Sequence, residues 1–229
     1  MHLRVVAPQR PLGYGGRRTA SSKGGYVDNV GKAAVAEFIG TFALIFFGAG
    51  AIIMTGGQDL VAIALAHGLA IAIMVSIMAH ISGGVFNPAI QIALWVTGKM
   101  PTGRSAVYIV AELLGGLAAA FFLKYIEPRP AFDAVTGGIP AVADGFAVGK
   151  AVVLEAMMTF FLVWAVFATV VDDRGPFGTT AGLTVGLTLT FGILAIGPWM
   201  FSGSPNESRA ATNASRAAGK SGVADAASR

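Results

Sequence analysis

Asn87, Pro88 and Ala89 open an apolar stretch, Pro88 to about Val96, that is too short to cross a bilayer yet follows a run long enough to do so. Ser82, Gly83 and Gly84 break the preceding helix, and Asn87-Pro88 starts another. Asn is among the best N-caps because its side-chain oxygen accepts a free backbone N–H. Pro at the first helical position loses nothing, since that N–H would be unpaired anyway. The stretch therefore predicts a half-length helix that begins inside the membrane. Irregular backbone at that depth is tolerated only where protein buries it or a water-filled cavity solvates it, so these residues signal a pore. Acids and histidines well inside the apolar runs are few: His67, Glu37, Glu155 and Glu112. Each is costly in a bilayer and so is a functional-site hypothesis. With no cysteine, and with no nucleophile–base pair or metal-ligand cluster in the pattern, neither an enzyme nor a cofactor or metal is expected.

The elements that must hold these residues are membrane helices. The 229 residues are 55% hydrophobic and 12% charged, a composition of polytopic helical membrane proteins. Five apolar segments can span, roughly Ala33–Met54, Leu60–His80, Ser105–Ile126, Val148–Val171 and Thr179–Met200. All are rich in Gly, Ala, Ser and Thr, which let membrane helices approach closely. Before the first lies a basic segment, Met1–Lys32, with Arg4, Arg10, Arg17, Arg18, Lys23 and Lys32 against Asp28. Next to a membrane helix this reads as a cytoplasmic anchor rather than a nucleic-acid arm. Lys99, Arg104 and Asp172-Asp173-Arg174 then fall on the cytoplasmic side, and the loop from Glu127 to about Gly149 outside. The expected organisation is a basic segment (1–32), a transmembrane domain (33–200) and a polar, disordered tail (201–229).

The chain repeats itself. Glu37-Phe38-Ile39-Gly40-Thr41-Phe42 matches Glu155-Ala156-Met157-Met158-Thr159-Phe160, and at the same offset Leu65, Gly68 and Leu69 match Leu183, Gly186 and Leu187. A single inserted residue brings Asn87 onto Asn206. An odd number of crossings separates the copies, so the second must be inverted. Inverted repeats with a broken helix in each half put the functional site at the midplane. The first repeat is expected over 33–126 and the second, incomplete and lacking a sixth span, over 148–200.

With these features the sequence resembles the aquaporin (major intrinsic protein) family. Ala36-Glu37-Phe38-Ile39-Gly40-Thr41-Phe42 is similar to that family's first-helix signature, and His80 to Ala89 to its first Asn-Pro-Ala loop. The resemblance covers about Lys32 to Pro198. It implies an all-α membrane fold of inverted repeats, each with three spans and a re-entrant half-helix, assembled as a homotetramer with one pore per subunit. Half-helices meeting at the centre would present positive ends that repel cations, while the Asn amide donates to a passing water. His67, which periodicity leaves open between packing and function, corresponds to a filter position. Ile193 is its partner, and Arg209 corresponds to the filter arginine. His with Ile resembles tonoplast-type plant channels. Glu37 and Glu155 correspond to glutamates that brace the re-entrant loops. The role of Glu112 stays open.

The second loop departs from the family pattern: Asn206-Glu207-Ser208-Arg209 keeps the Asn and Arg but lacks the Pro and Ala. A frameshift near Trp199, replacing a sixth helix, is the expectation that explains this. The functional expectation is a passive channel for water, with ammonia, urea or hydrogen peroxide beside it, in the plasma membrane. Its alternatives are a non-conducting remnant and a proton-coupled secondary transporter. The expected partners are water, small neutral solutes, the lipid bilayer and further copies of the chain, and not nucleic acid.

Overall fold

The computed structural model describes residues 30–172 and 180–200. The basic segment before Val30, Asp173-Arg174, and the tail with Asn206 and Arg209 lie outside the described residues. The elements are α1 (Val30–Thr55), α2 (Leu60–Ser82), α3 (Pro88–Val96), α4 (Thr102–Ile126), α5 (Arg129–Ala134), α6 (Val148–Val166) and α7 (Ala181–Met200). A π-helical turn, Phe167–Val171, extends α6. Among the described residues five helices are long and apolar enough to cross a membrane, with mean hydropathy of 1.6 to 2.5 over their best windows. They follow the expected spans to within a few residues, and α3 has the expected bounds. At 1.5 Å per residue its nine residues reach about half of a ~30 Å bilayer core.

α2 packs most extensively on α7, and α1 on α4 and α2. Glycine makes the α2–α7 crossing possible. A Cβ at Gly68 would stand 2.6 Å from the Gly186 carbonyl oxygen and 3.0 Å from the Thr190 Cβ. A Cβ at Gly186 would meet the Gly68 carbonyl and stand 2.7 Å from the Ala72 Cβ. Each glycine thus faces its own repeat mate and the residue one turn beyond that mate. The pseudo-symmetry in the sequence is therefore realised at this contact, in the manner of close membrane-helix packing. Leu65, Leu69, Leu183 and Leu187, which share that register, all point outward, where lipid rather than water covers them.

The segment after Glu127, expected as a plain loop, is partly structured. Pro128 and Pro130 start α5, which runs into a 3-10 turn at Thr136–Gly138. Gly138 lies against α1, where a Cβ would be 2.7 Å from the Ala49 carbonyl. The chain then pairs with the end of α7, Ala141 N–H to Met200 O (2.9 Å) and Ala143 N–H to Trp199 O (3.0 Å). Phe146 stacks on Trp199 with ring centroids 5.9 Å apart. A helix end has carbonyls without intrahelical partners, and here the loop supplies them. Contacts of that kind join distant residues and leave no local pattern.

Gly68→Val should lower thermal stability in detergent by about 1–3 kcal/mol, because overpacked buried sites strain their surroundings. Gly103→Ala, at a position with nothing within 4 Å, should leave the melting temperature unchanged or raise it slightly. Equal effects of the two would contradict the close crossing.

Candidate functional site

The re-entrant loop is built by satisfying backbone groups one at a time. Gly83, in the left-handed region (φ 101°), ends α2 by donating its N–H to Ala79 O (2.9 Å). Gly84 N–H donates to Ser82 Oγ (3.1 Å). The Glu37 carboxylate accepts the next two, Val85 N–H at Oε1 (3.2 Å) and Phe86 N–H at Oε2 (2.6 Å). Asn87 N–H goes to Glu112 Oε1 (3.2 Å), and Ala89 N–H to Asn87 Oδ1 (2.9 Å). Pro88 has none to place. Gln91 N–H to Asn87 O (3.0 Å) begins the α3 ladder. From Gly83 to Ala89, then, every N–H has a partner, as irregular backbone at membrane depth demands.

Phe86 carries a positive φ of 49° and no exposed surface. That conformation is rare for a bulky residue and is held here from both ends. Its N–H is fixed by Glu37, and its ring lies where Gly40 has no Cβ. Gly40 belongs to the same first-helix motif as Glu37, so one turn of α1 supplies both the acceptor and the space. Further ties fix the half-helix to α4: Gln91 Nε2 donates to Ser105 Oγ (2.8 Å) and Trp95 Nε1 to Thr102 Oγ1 (3.0 Å). The Tyr108 hydroxyl donates to the Ser82 carbonyl (2.8 Å) at the end of α2.

Because Asn87 Oδ1 accepts from Ala89 N–H, its amide N–H₂ is the end left for other partners. Asn87 lines a cavity of about 240 Å³ together with His67, Glu155, Thr188 and Ile193. That is far above the roughly 10–15 Å³ that one water needs on this measure. His67 Nδ1 stands 2.8 Å from Ile63 O. A carbonyl only accepts, so Nδ1 carries the proton and Nε2 is the acceptor of the neutral ring. Gly48 on α1 leaves room for that ring, since a Cβ there would come 2.7 Å from its Cε1.

The structure thus brings Asn87, His67, Ile193 and Glu155 to one cavity. Pro88 and Ala89 form the first turn of α3. Glu37 lies apart, buried under the loop. Glu155 is exposed along the cavity rather than buried like its repeat mate, and the loop it was expected to brace lies outside the described residues. Asn206 and Arg209 lie there too. Three contributors carry no signal of their own in the amino-acid pattern. Phe86 needs a glycine on another helix, Thr188 reads as one more small packing residue, and Met158, which lines the cavity, reads as one more apolar residue of its span. Glu112, whose role stayed open, holds the N–H of Asn87. Its one sequence signal was an acid inside a span.

Comparison with known proteins bears on this geometry. Residues 27–215 match the family model described as major intrinsic protein. Aquaporin TIP4-4 of Zea mays is 42% identical over 183 residues, covering 75% of this chain and 69% of that protein. Aquaporin TIP2-1 of Arabidopsis thaliana is 40% identical over 192 residues, covering 78% and 73%. Among solved structures, the X-ray structure of the aquaglyceroporin from Plasmodium falciparum superposes with a TM-score of 0.61 at 25% identity, covering 73% of this chain and 72% of that one.

Glu37→Gln replaces an acceptor oxygen by an N–H₂ that faces a backbone N–H. It should cost about 2–3 kcal/mol, the scale of a buried charge-assisted hydrogen bond left unmade. Thermal unfolding of the purified protein measures this, and a melting curve unchanged from the parent's would remove the bracing role.

Proposed function

The chain belongs to the major intrinsic protein family, and from that premise we propose that it passes water first and, beside it, small neutral molecules such as ammonia, urea or hydrogen peroxide. It is a multi-pass membrane channel, not an enzyme. The observation that carries the proposal is the Asn87 amide, held at the N-terminus of a half-helix in the wall of a cavity shared with His67.

Water crossing there meets donors and acceptors in turn. Asn87 offers an N–H₂ and His67 an Nε2 lone pair. Thr188, whose hydroxyl hydrogen is engaged by Thr184 O at 2.8 Å, offers oxygen lone pairs. The positive end of α3, worth roughly half a charge, orients a water with its oxygen toward Asn87 and opposes cations. We assign His67 and Ile193, with Arg209, to the selective constriction, and Asn206 to the second half of the site. The match of the family model through residue 215 supports including the last two. Ile193 and His67 in the lining of one cavity give it an amphipathic character that suits uncharged solutes. A glycerol channel fits less well, because that subfamily has a wider aromatic first position and an Asp where Ala210 stands. The assembly is proposed as a homotetramer with one pore per subunit. Its membrane is proposed as the plasma membrane, with the basic N-terminal segment on the cytoplasmic side.

A second reading, a chain that inserts but does not conduct, has one observation in its favour. In the most apolar window of the fourth span (Val148–Val171) 11% of residues are buried, against 33–44% in the other spans. Among the described residues, that helix has the least protein around it.

Stopped-flow shrinkage of proteoliposomes tests both readings. The chain should raise water permeability well above that of bare lipid, with no dependence on an imposed proton gradient. Extending it with a sixth span from one of its relatives should change little. Permeability at the lipid background that appears only on extension would favour the second reading. Asn87→Asp keeps a good N-cap but sets a negative charge at the positive helix end. A rise of about tenfold in monovalent-cation leak is the expected outcome, taking the helix-end field as worth 1–2 kcal/mol. A leak equal to the parent's would remove Asn87 from charge exclusion.

A further inference from the structure

Glu112 lies on α4 with no exposed surface. One of its oxygens accepts the N–H of Asn87, and the other, Oε2, is buried and has no hydrogen-bond partner among the described residues. Glu37, on α1, is buried as completely, and its side chain is within hydrogen-bonding reach of Glu112. Three consecutive backbone N–H groups, of Val85, Phe86 and Asn87, are thus held by two acids that touch each other. The groups acting on the pair are each other, the Ser82 hydroxyl and those three N–H groups. Tyr108, one turn before Glu112 on α4, gives its hydroxyl to the Ser82 carbonyl. Arg104 stands over the Tyr108 ring, 5.9 Å from its centroid.

Two carboxylates in contact cannot both ionise away from water, and such a pair shares one proton. The hydrogen bonds say where it sits. Glu37 accepts a backbone N–H at each oxygen, which favours its ionised form, whereas Glu112 accepts one and has an oxygen with no donor to receive. We infer that Glu112 is a positioning residue that acts as a neutral acid, its Oε1 accepting from Asn87 N–H while its Oε2–H donates to the Glu37 carboxylate. The shared proton resolves the unpartnered oxygen and leaves a single negative charge under the loop. Through it, the side chain that meets the permeating molecule is tied to the brace of the residues before it.

The inference rests on the channel reading only for its permeability readout. Its test compares the full chain with E112Q, both reconstituted in lipid. Glutamine reproduces a neutral glutamic acid, with a carbonyl oxygen toward Asn87 and an N–H toward Glu37. E112Q should therefore assemble and keep water permeability within about twofold of the parent. The parent at neutral pH should show the infrared carbonyl stretch of a protonated carboxyl, shifting in heavy water, and E112Q should lose that band. A parent without the band, an unchanged band in E112Q, or an E112Q chain that fails to assemble would each overturn the proposal. A chain that shows the band and its loss but moves no water would overturn the channel reading alone.

Discussion

Glu37 reaches from the first helix to the N–H groups of Val85 and Phe86, and the rest of the molecule depends on this contact. A chain that leaves helical geometry inside hydrocarbon must find a partner for each N–H it frees, because no water is there to take its place. A carboxylate is the most economical answer, since two oxygens on one side chain accept two successive donors with charge-assisted strength. Its own burial, costly for an isolated acid, is compensated by the groups it serves. Acceptor and loop specify each other: neither is tolerable in a membrane alone.

Once the loop is fixed, the repeat supplies the cavity. Gly68 and Gly186 let α2 and α7 cross at near backbone contact. His67 is the residue before one of these glycines, and Thr188 and Ile193 follow the other along the same helix. The close crossing holds these side chains around one space. Meanwhile the Asn87-capped end of α3 arrives from the first repeat. Small residues at the crossing and polar residues beside it are thus two aspects of one packing solution.

Much of this was legible in the sequence because it is written locally. The bounds of α3 follow from Asn87 and Pro88, whose roles at a helix start depend on nothing distant. The spans follow from hydropathy, and the inversion from the parity of crossings between matched motifs. Glu37 was legible through the resemblance. Contacts between elements were not. Phe86 reads as one more apolar residue, and only its proximity to Gly40 shows why a positive φ is tolerated. Glu112 reads as an acid in a span until its oxygen is seen against Asn87. The pairing of Ala141 and Ala143 with the end of α7 joins residues far apart in the chain, so no local period announces it.

The two repeats contribute differently to the site. Among the described residues, what positions Asn87 comes from the first: Glu37 and Gly40 on α1, Ser82 at the end of α2, and Ser105, Tyr108 and Glu112 on α4. In the second, Glu155 faces the cavity where Glu37 is buried, and among the described residues the helix that carries it has little protein around it. The second repeat meets the first mainly through the glycine crossing and through the apolar cluster that gathers Val166, Val171 and Val185 with Val85 and Phe86. Among the described residues those contacts supply none of the hydrogen bonds that shape the loop. The geometry of the Asn87 end is therefore a property of the first repeat, and the second decides how the space before it is enclosed.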